Sequence, residues 1–143
     1  MKIRTFFSIS ILALLSIGLV CGCKKKKDDP KNFTNADFAG TWNVTDGCCS
    51  GTYQITVAAS GSDGVTIQNL RKCTSVAGWN ITGTVSGNAL TIAAQNVTST
   101  AQGGPYKFTG SGTLNTTSSL SITYTIADVQ GTNPTTCTAT CTK

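Results

Sequence analysis

Short runs in which apolar and polar residues alternate occupy most of this chain and restrict its fold more than any other feature. Apolar residues occur at every second position in Tyr53–Ala59, Trp79–Val85 and Leu120–Ile126, and threonine often fills the positions between them. Period-two alternation is typical of half-buried antiparallel strands, and β-branched threonine is well suited to their solvent-exposed face. No run after residue 23 has a helical period. The pattern therefore predicts an all-β domain.

Turn-forming residues separate these runs and set the number of strands. Clusters of Gly, Asn, Ser, Asp, Thr and Pro lie at residues 60–64, 87–88, 103–105, 116–119 and 131–134. About eight short strands in meander order result. We predict a small up-and-down antiparallel barrel over residues 37–143, because closure removes the exposed edges of an open sheet. A two-sheet β-sandwich is the alternative.

The first 22 residues have the layout of an export signal. Lys2 and Arg4 precede an apolar run, Phe6–Val20, and small and cysteine residues follow it. The apolar run is 15 residues long, shorter than the roughly 20 that a membrane-spanning helix needs. We therefore expect residues 1–22 to be a cleaved signal peptide.

The end of this segment, Val20-Cys21-Gly22-Cys23, resembles the lipobox of bacterial lipoproteins. The resemblance implies that Cys23 is acylated, palmitate included, and becomes the new N-terminus. Cys21 is the alternative acceptor, but it follows a bulky valine rather than a small glycine. A cleaved signal without a lipid remains a further alternative. Several acyl chains would anchor the protein stably, whereas one chain binds a membrane only marginally.

Residues 23–36 are predicted to be a lipidated tether between the membrane and the barrel. Four lysines, Lys24–Lys27, are followed by Asp28 and Asp29, and the lysine-to-aspartate segment resembles the export tag of surface lipoproteins of Bacteroidetes. We expect a cell-envelope protein held on the outer membrane by its N-terminal lipid; whether it faces the surface or the periplasm is left open.

Positive charge is concentrated in the N-terminal segment. The whole chain carries +5, but residues 31–143 hold five basic and four acidic residues, a net charge of +1. Only Arg71 and Lys72 are adjacent basic residues there. A nucleic-acid module would cluster basic side chains on one face, so nucleic acid is not an expected partner.

Five cysteines follow the tether, and an oxidising compartment makes disulfides their default state. If Ala59 pairs with Val65 in a hairpin, Cys49 comes within two residues of the position opposite Cys73. If Gly40 pairs with Lys143 to close the barrel, Cys48 faces Thr135, two residues from Cys137. The predicted disulfides are Cys48–Cys137 and Cys49–Cys73, with Cys141 free. The first closes the longer loop and should stabilise the fold by roughly 4 kcal/mol. Exchange of Cys48 and Cys49 between partners is nearly as well supported.

Residues for catalysis or metal binding are scarce. The chain has no histidine, and all six of its acidic residues are aspartates. Of these, Asp37 and Asp63 fall at cap or turn positions, and Asp46 and Asp128 at strand ends, where we expect them to be solvated. No phosphate-binding loop, nucleophile elbow, calcium loop or zinc spacing is present. We expect no enzyme, no cofactor and no metal site.

The segment Phe38–Val44, which contains Gly-Thr-Trp, looks like the Gly-x-Trp entry to the first strand of lipocalins. Together with the closing segment Cys137–Lys143, it resembles the small lipocalin-like lipoproteins of Bacteroidetes. The resemblance implies a barrel. The chain is shorter than a usual lipocalin, lacks the long first loop, and has no arginine after the last strand to pack on Trp42.

Two functions follow from a barrel of this kind. The first is a carrier that holds a small apolar ligand in its interior, lined by Trp42, Tyr53, Trp79, Tyr106, Phe108 and Tyr124. The second is an envelope interaction protein, or an enzyme inhibitor, that acts through its loops around a solid core. A cavity larger than roughly 300 Å³ would favour the carrier. A solid core with an exposed apolar patch on the loops would favour the interaction protein.

Overall fold

The computed structural model describes residues 32–73, 78–99 and 103–143. The predicted signal peptide, the lipidation site Cys23 and most of the tether lie outside these residues. The described residues form one short helix and eight strands. Their bounds are α1 Asn35–Phe38, β1 Gly40–Asp46, β2 Thr52–Ser60, β3 Gly64–Leu70, β4 Trp79–Ser86, β5 Ala89–Ser99, β6 Gly103–Thr116, β7 Ser119–Asp128 and β8 Thr135–Thr142. Within the described ranges, no helix is long and apolar enough to cross a bilayer.

Each strand pairs antiparallel with its neighbours in the chain, and β8 pairs with β1, so the sheet closes. The predicted up-and-down barrel of eight strands is confirmed, and the two-sheet sandwich is wrong. Ala59 pairs with Val65, as predicted. At the closure, however, Asn43 pairs with Thr142, a two-residue shift from the predicted register. An even shift preserves which side chains face inward.

Alternating burial along the strands builds the core. In β1, Trp42 and Val44 are buried while their neighbours are exposed, and in β8 Cys137, Ala139 and Cys141 alternate with exposed threonines. The inward side chains of all eight strands form one cluster. Barrels of eight strands have an interior just wide enough for side chains to fill, and this one is filled.

Both predicted disulfides are present. Cys48 is bonded to Cys137 and Cys49 to Cys73, with Cα atoms 5.5 Å and 4.8 Å apart. The two-residue shift at the closure explains the first bond, because continuing that register places Cys48 directly opposite Cys137. Among the cysteines that the structure describes, Cys141 is free, and it is buried.

The meander divides the loops between two ends of the barrel. We call the end with α1 and the turns at residues 61–63, 87–88 and 117–118 the closed end. The opposite end, which we call the open end, carries both disulfides and includes residues 47–51, 71–73 and 129–134. The two ends differ in how their polar groups are bonded.

At the closed end, α1 covers the barrel. Phe38 is fully buried, and its carbonyl oxygen accepts a hydrogen bond from Trp42 Nε1 at 2.8 Å. Asn35 is also buried, and its Nδ2 donates to the carbonyl oxygens of Gly61 and Gly64, both at 3.1 Å. Asn35 falls within the predicted tether, so contacts with the barrel begin before residue 37. A four-residue helix has no period for a sequence pattern to reveal.

Lys143 completes this end. Its Nζ lies 4.1 Å from the Trp42 ring centroid and donates to the carbonyl oxygens of Asp37 and Ala39 at 3.1 Å and 2.7 Å. The sequence offers no arginine to pack on Trp42, and this lysine supplies the cation instead. Loss of hydration lowers the pKa of Lys143, and the charge of Asp37 partly opposes that shift.

The β4–β5 pair is held partly by a side chain. Backbone pairing covers only Thr84–Ser86 with Ala89–Thr91, and β5 bulges beyond Ile92. Gln95 bridges the gap: its Oε1 accepts from Thr82 N at 3.0 Å, and its Nε2 donates to Thr82 O at 2.8 Å. The amide takes the place of a missing strand residue and satisfies the backbone of β4.

Candidate functional site

Asp46, the last residue of β1, is buried below the open end with 2% of its surface exposed. The expectation of a solvated rim residue is therefore wrong. Its Oδ2 accepts hydrogen bonds from the hydroxyls of Tyr53 at 2.8 Å and Tyr124 at 2.6 Å, and its Oδ1 accepts from Cys48 N at 2.9 Å. A buried carboxylate is tolerated only when it is bonded in this way.

The two tyrosines are fixed as hydrogen-bond donors. Burial, and then the bond to Asp46, raises the pKa of Tyr53 and of Tyr124 far above the ordinary tyrosine value. Tyr53 also accepts a hydrogen bond from Arg71 N at 2.9 Å. The network ties β1, β2 and β7 to the end of β3. Neither phenol can act as a base near neutral pH.

Cys141 lies next to this network but adds no reactivity. Burial, and then the charge of Asp46, raises the pKa of its thiol to about 12. The thiolate is the nucleophilic form of cysteine, so this thiol is inert at neutral pH. Asp46 also lies close to the sulfurs of Cys48 and Cys137, within 4.8 Å. Those sulfurs are bonded to each other and offer no thiolate to a metal.

Arg71 follows β3 directly and has a left-handed backbone, with φ of 57°. Its guanidinium carbon lies 5.5 Å from the centroid of the Trp79 ring. Arg71 Nε is buried, and no described residue accepts a hydrogen bond from it. Trp79 is 3% exposed, and its Nε1 likewise has no acceptor among the described residues. Two buried donors without partners therefore lie together near the open end.

A chain of aromatic rings runs from this cation down into the core. Tyr106 meets Trp79 edge-on at 5.6 Å, Trp79 meets Phe108 at 5.3 Å, and Phe108 stacks on Tyr124 at 5.6 Å between centroids. Gly110 allows β6 to lie close to β7 beside this ring, since a Cβ there would lie 2.5 Å from Thr123 O and 3.0 Å from Tyr124 Cα. These contacts are worth about 0.5–1.5 kcal/mol each beyond burial.

A pocket of about 340 Å³ opens at this end of the barrel. Its lining residues come from the position directly after β3, from β6 and β7, from the loop before β8 and from the start of β8. They are Arg71, Tyr106, Ile126, Ala127, Asp128, Asn133 and Thr135.

The six aromatic residues predicted to line a cavity are placed differently from one another. Trp79, Phe108 and Tyr124 are buried in the core beneath the pocket, and Trp42 is buried at the opposite end. Tyr53 is half-buried in the Asp46 network, and Tyr106 is the member of the six that lines the pocket. The sequence did not indicate Arg71 as a site residue; its place directly after a strand was the available signal.

Asp128 organises the rim of the pocket. Its Oδ1 accepts from Thr132 N at 2.7 Å, and its Oδ2 accepts from Thr132 Oγ1. These bonds, led by the one from the Thr132 hydroxyl, lower the pKa of Asp128. Its rim position agrees with the sequence, as do Asp63 in an exposed turn and Asp37 bonded to Thr34 N ahead of α1. Both oxygens of the Asp128 carboxylate thus accept hydrogen bonds from Thr132 in the adjoining loop.

Comparison with known proteins shows the fold and goes no further. No protein-family model and no curated protein sequence matches this chain. Among solved structures, the chain is similar to a redesigned beta barrel, with 15% sequence identity and a TM-score of 0.54. The match covers 76% of this chain and 93% of the designed one. At this identity, the similarity concerns the barrel architecture alone.

Proposed function

We propose that this chain is a lipid-anchored, non-catalytic bacterial envelope protein that carries a small ligand at the open end of its barrel. The pocket of about 340 Å³ is the observation that carries the proposal, because ligand pockets of proteins begin near 300 Å³. The ligand lies at the mouth, against Tyr106, Ile126 and Ala127, and not within the filled interior.

The chemistry at the pocket favours binding over catalysis. Asp46 is the buried carboxylate near the mouth, and both of its oxygens accept hydrogen bonds from protein donors. The tyrosines bonded to it stay protonated, and Asp128 is bonded within its loop. A general base needs a free proton acceptor near the operating pH, and these groups do not supply one.

The lipocalin-like relationship is part of the same proposal. The Gly40-Thr41-Trp42 segment opens β1, and Lys143, the last residue, packs on Trp42 and bonds the chain around α1. The first and last strands are thereby fastened to the closed end. That arrangement leaves the open end as the place where a ligand enters.

Native mass spectrometry of protein gently extracted from membranes tests the carrier function. We expect a bound small molecule on the wild type. Thr135→Trp should remove it, because Thr135 lies at the exposed edge of the pocket. The matched control is Thr138→Trp, on the outer face of β8, which should keep the ligand. Bare wild-type protein would contradict the carrier.

Metabolic labelling with radioactive palmitate tests the anchor. Cys23→Ser should abolish labelling, and Cys21→Ser should leave it unchanged, since Cys23 follows the small residue of the lipobox. Labelling that survives Cys23→Ser but is lost in Cys21→Ser would move the anchor to Cys21. Labelling lost in neither variant would contradict a lipid on these cysteines.

The filled interior favours a second candidate, an envelope interaction protein or inhibitor that acts through its loops. Such a surface usually includes an exposed apolar patch. Among the described residues, Val129 is the exposed large hydrophobic side chain, so the structure offers little of that kind. In the same mass spectrum, a bound protein and no small molecule would favour this candidate.

A further inference from the structure

We propose that the ligand of the open end is a small organic anion, with its carboxylate or similar acidic group on Arg71 and its apolar body against Tyr106 and Ile126. This inference rests on the proposed carrier function and names the chemical class that the pocket selects.

The charge of Arg71 lacks an anionic partner in the part of the chain that the structure describes. Asp128 lines the same pocket, but its oxygens are held by Thr132. Asp46 lies beneath, with its oxygens held by two tyrosine hydroxyls and Cys48 N. Arg71 reaches this network through its backbone N–H, which bonds Tyr53, and not through its guanidinium. Arg71 is partly buried and lines the pocket, so its charge is available to an incoming anion.

The buried part of the Arg71 side chain also has an unsatisfied donor. Arg71 Nε is buried and has no acceptor among the described residues, and an unpaired buried donor keeps its full desolvation cost. The guanidinium presents planar N–H groups that suit a carboxylate, often with two parallel bonds. Its position near the Trp79 ring, 5.5 Å from the centroid, holds the charge at the pocket wall. An incoming carboxylate would meet the guanidinium where Arg71 lines the pocket.

The remaining lining sets the shape of the ligand. Ile126 and Ala127 are buried, and Tyr106 is half-buried with one edge packed on Trp79. These side chains offer an apolar wall beside the cation. The volume of about 340 Å³ is at the small end of ligand pockets. An aromatic or short branched carboxylate suits this combination better than an inorganic anion or a neutral hydrocarbon.

Isothermal titration with 2-naphthoate and 2-naphthamide tests the inference, because the two probes share one body and differ in charge. The full lipidated protein is placed in phosphatidylcholine nanodiscs, with empty nanodiscs as the blank. We expect 2-naphthoate to bind the wild type more tightly than 2-naphthamide. Arg71→Gln should weaken naphthoate binding about tenfold or more, the size expected for a hydrogen bond to a charged group. Naphthamide binding should change little.

Two further variants keep the result interpretable. Lys72→Gln removes a neighbouring charge outside the pocket lining and should leave both affinities within about twofold. Arg71→Lys retains the charge and should keep part of the preference for naphthoate. Equal affinity of the two probes in the wild type, or an Arg71→Gln effect shared equally by both, would overturn the anion inference and leave the carrier standing. Binding of neither probe would also overturn the anion inference, and the native mass spectrum of the wild type would then decide the carrier function separately.

Discussion

The closed and open ends of this barrel are built from similar residues and differ in how completely they are bonded. Each end has a buried tryptophan beside a cation, Trp42 with Lys143 and Trp79 with Arg71. At the closed end, the indole N–H and the lysine both donate to backbone carbonyl oxygens. At the open end, neither Trp79 Nε1 nor Arg71 Nε finds an acceptor among the described residues.

This difference distinguishes the structural site at the closed end from the binding site that we propose at the open end. Buried polar groups in folded proteins are nearly always hydrogen-bonded, and each exception needs an explanation. The closed end needs none, since its donors secure α1 and the last residue. At the open end, a pocket adjoins one of the exceptions. Two disulfides and the buried Asp46 network stabilise the barrel around it, so the strands are held while two donors stay unpaired.

Removing the covalent bonds at the open end should have the largest effect. Replacing Cys48 and Cys137 together by serine should lower the free energy of unfolding by about 4.5 kcal/mol, and replacing Cys49 and Cys73 by about 3.5 kcal/mol, because the first bond closes the longer loop. The sequence separations are 89 and 24 residues. Urea denaturation measures both. The reverse order would show that local contacts, and not loop length, dominate.

Removing the buried carboxylate should have the next largest effect. Asp46→Ala leaves two tyrosine hydroxyls and Cys48 N without their acceptor, which should cost about 2–4 kcal/mol. Asp63→Ala, in an exposed turn, is the matched control and should change stability by less than about 0.5 kcal/mol. Urea denaturation again serves. A cost below about 1 kcal/mol for Asp46→Ala would mean that the network does not stabilise the barrel.

The two tryptophans give the most direct contrast in stability between the ends. Trp42→Phe loses a hydrogen bond to the buried carbonyl of Phe38. Trp79→Phe loses an N–H that has no described partner. Both changes remove similar volume, so Trp42→Phe should cost about 1–2 kcal/mol more than Trp79→Phe. Thermal or urea unfolding of the pair gives the difference. Equal costs would show that the bond at the closed end contributes nothing.

Alkaline pH should lower the free energy of unfolding of the barrel through groups that stay protonated in the fold. The ordinary pKa values are 9.0 for the Cys141 thiol and 10.0 for Tyr124, and burial raises both. The folded state therefore holds these protons more tightly than the unfolded chain, so their contribution is full below pH 9 and declines as pH rises through each ordinary value.

Each such group adds a slope of up to about 1.4 kcal/mol per pH unit. Tyr124→Phe should therefore flatten the loss of stability between roughly pH 10 and 11, whatever its effect at neutral pH. Urea denaturation across this range measures the slope. An unchanged slope in the variant would show that Tyr124 titrates normally in the fold.

The barrel could be predicted because the sequence pattern that specifies it is repeated in every strand. Alternation over many residues specifies strands and their inward faces, and turn residues mark their ends. The Ala59–Val65 register followed from the short loop between them. The β1–β8 register joins the two ends of the domain without a loop, and it was displaced by two residues. The disulfide prediction tolerated that error because an even shift keeps both cysteines on their faces.

The site was less predictable because a few contacts between residues far apart in the chain form it. Asp46 can be buried because its carboxylate accepts a hydrogen bond from the hydroxyl of Tyr124, 78 residues later in the chain. A pattern within one strand cannot indicate such a partner. Arg71 is notable because its Nε has no acceptor among the described residues, and only the arrangement of neighbouring strands reveals this. Lys143 reaches Trp42 across the closure of the barrel. Each of these depends on tertiary contact and not on local sequence.

The indole N–H signals of the two tryptophans test the central claim most directly, since the chain has one tryptophan at each end. In a ¹H–¹⁵N spectrum of the labelled protein, titration with 2-naphthoate should shift the Trp79 indole signal and leave that of Trp42 in place. Trp42→Phe assigns the two signals. A shift of Trp42 alone, or saturable binding that moves neither signal, would contradict a ligand site at the open end.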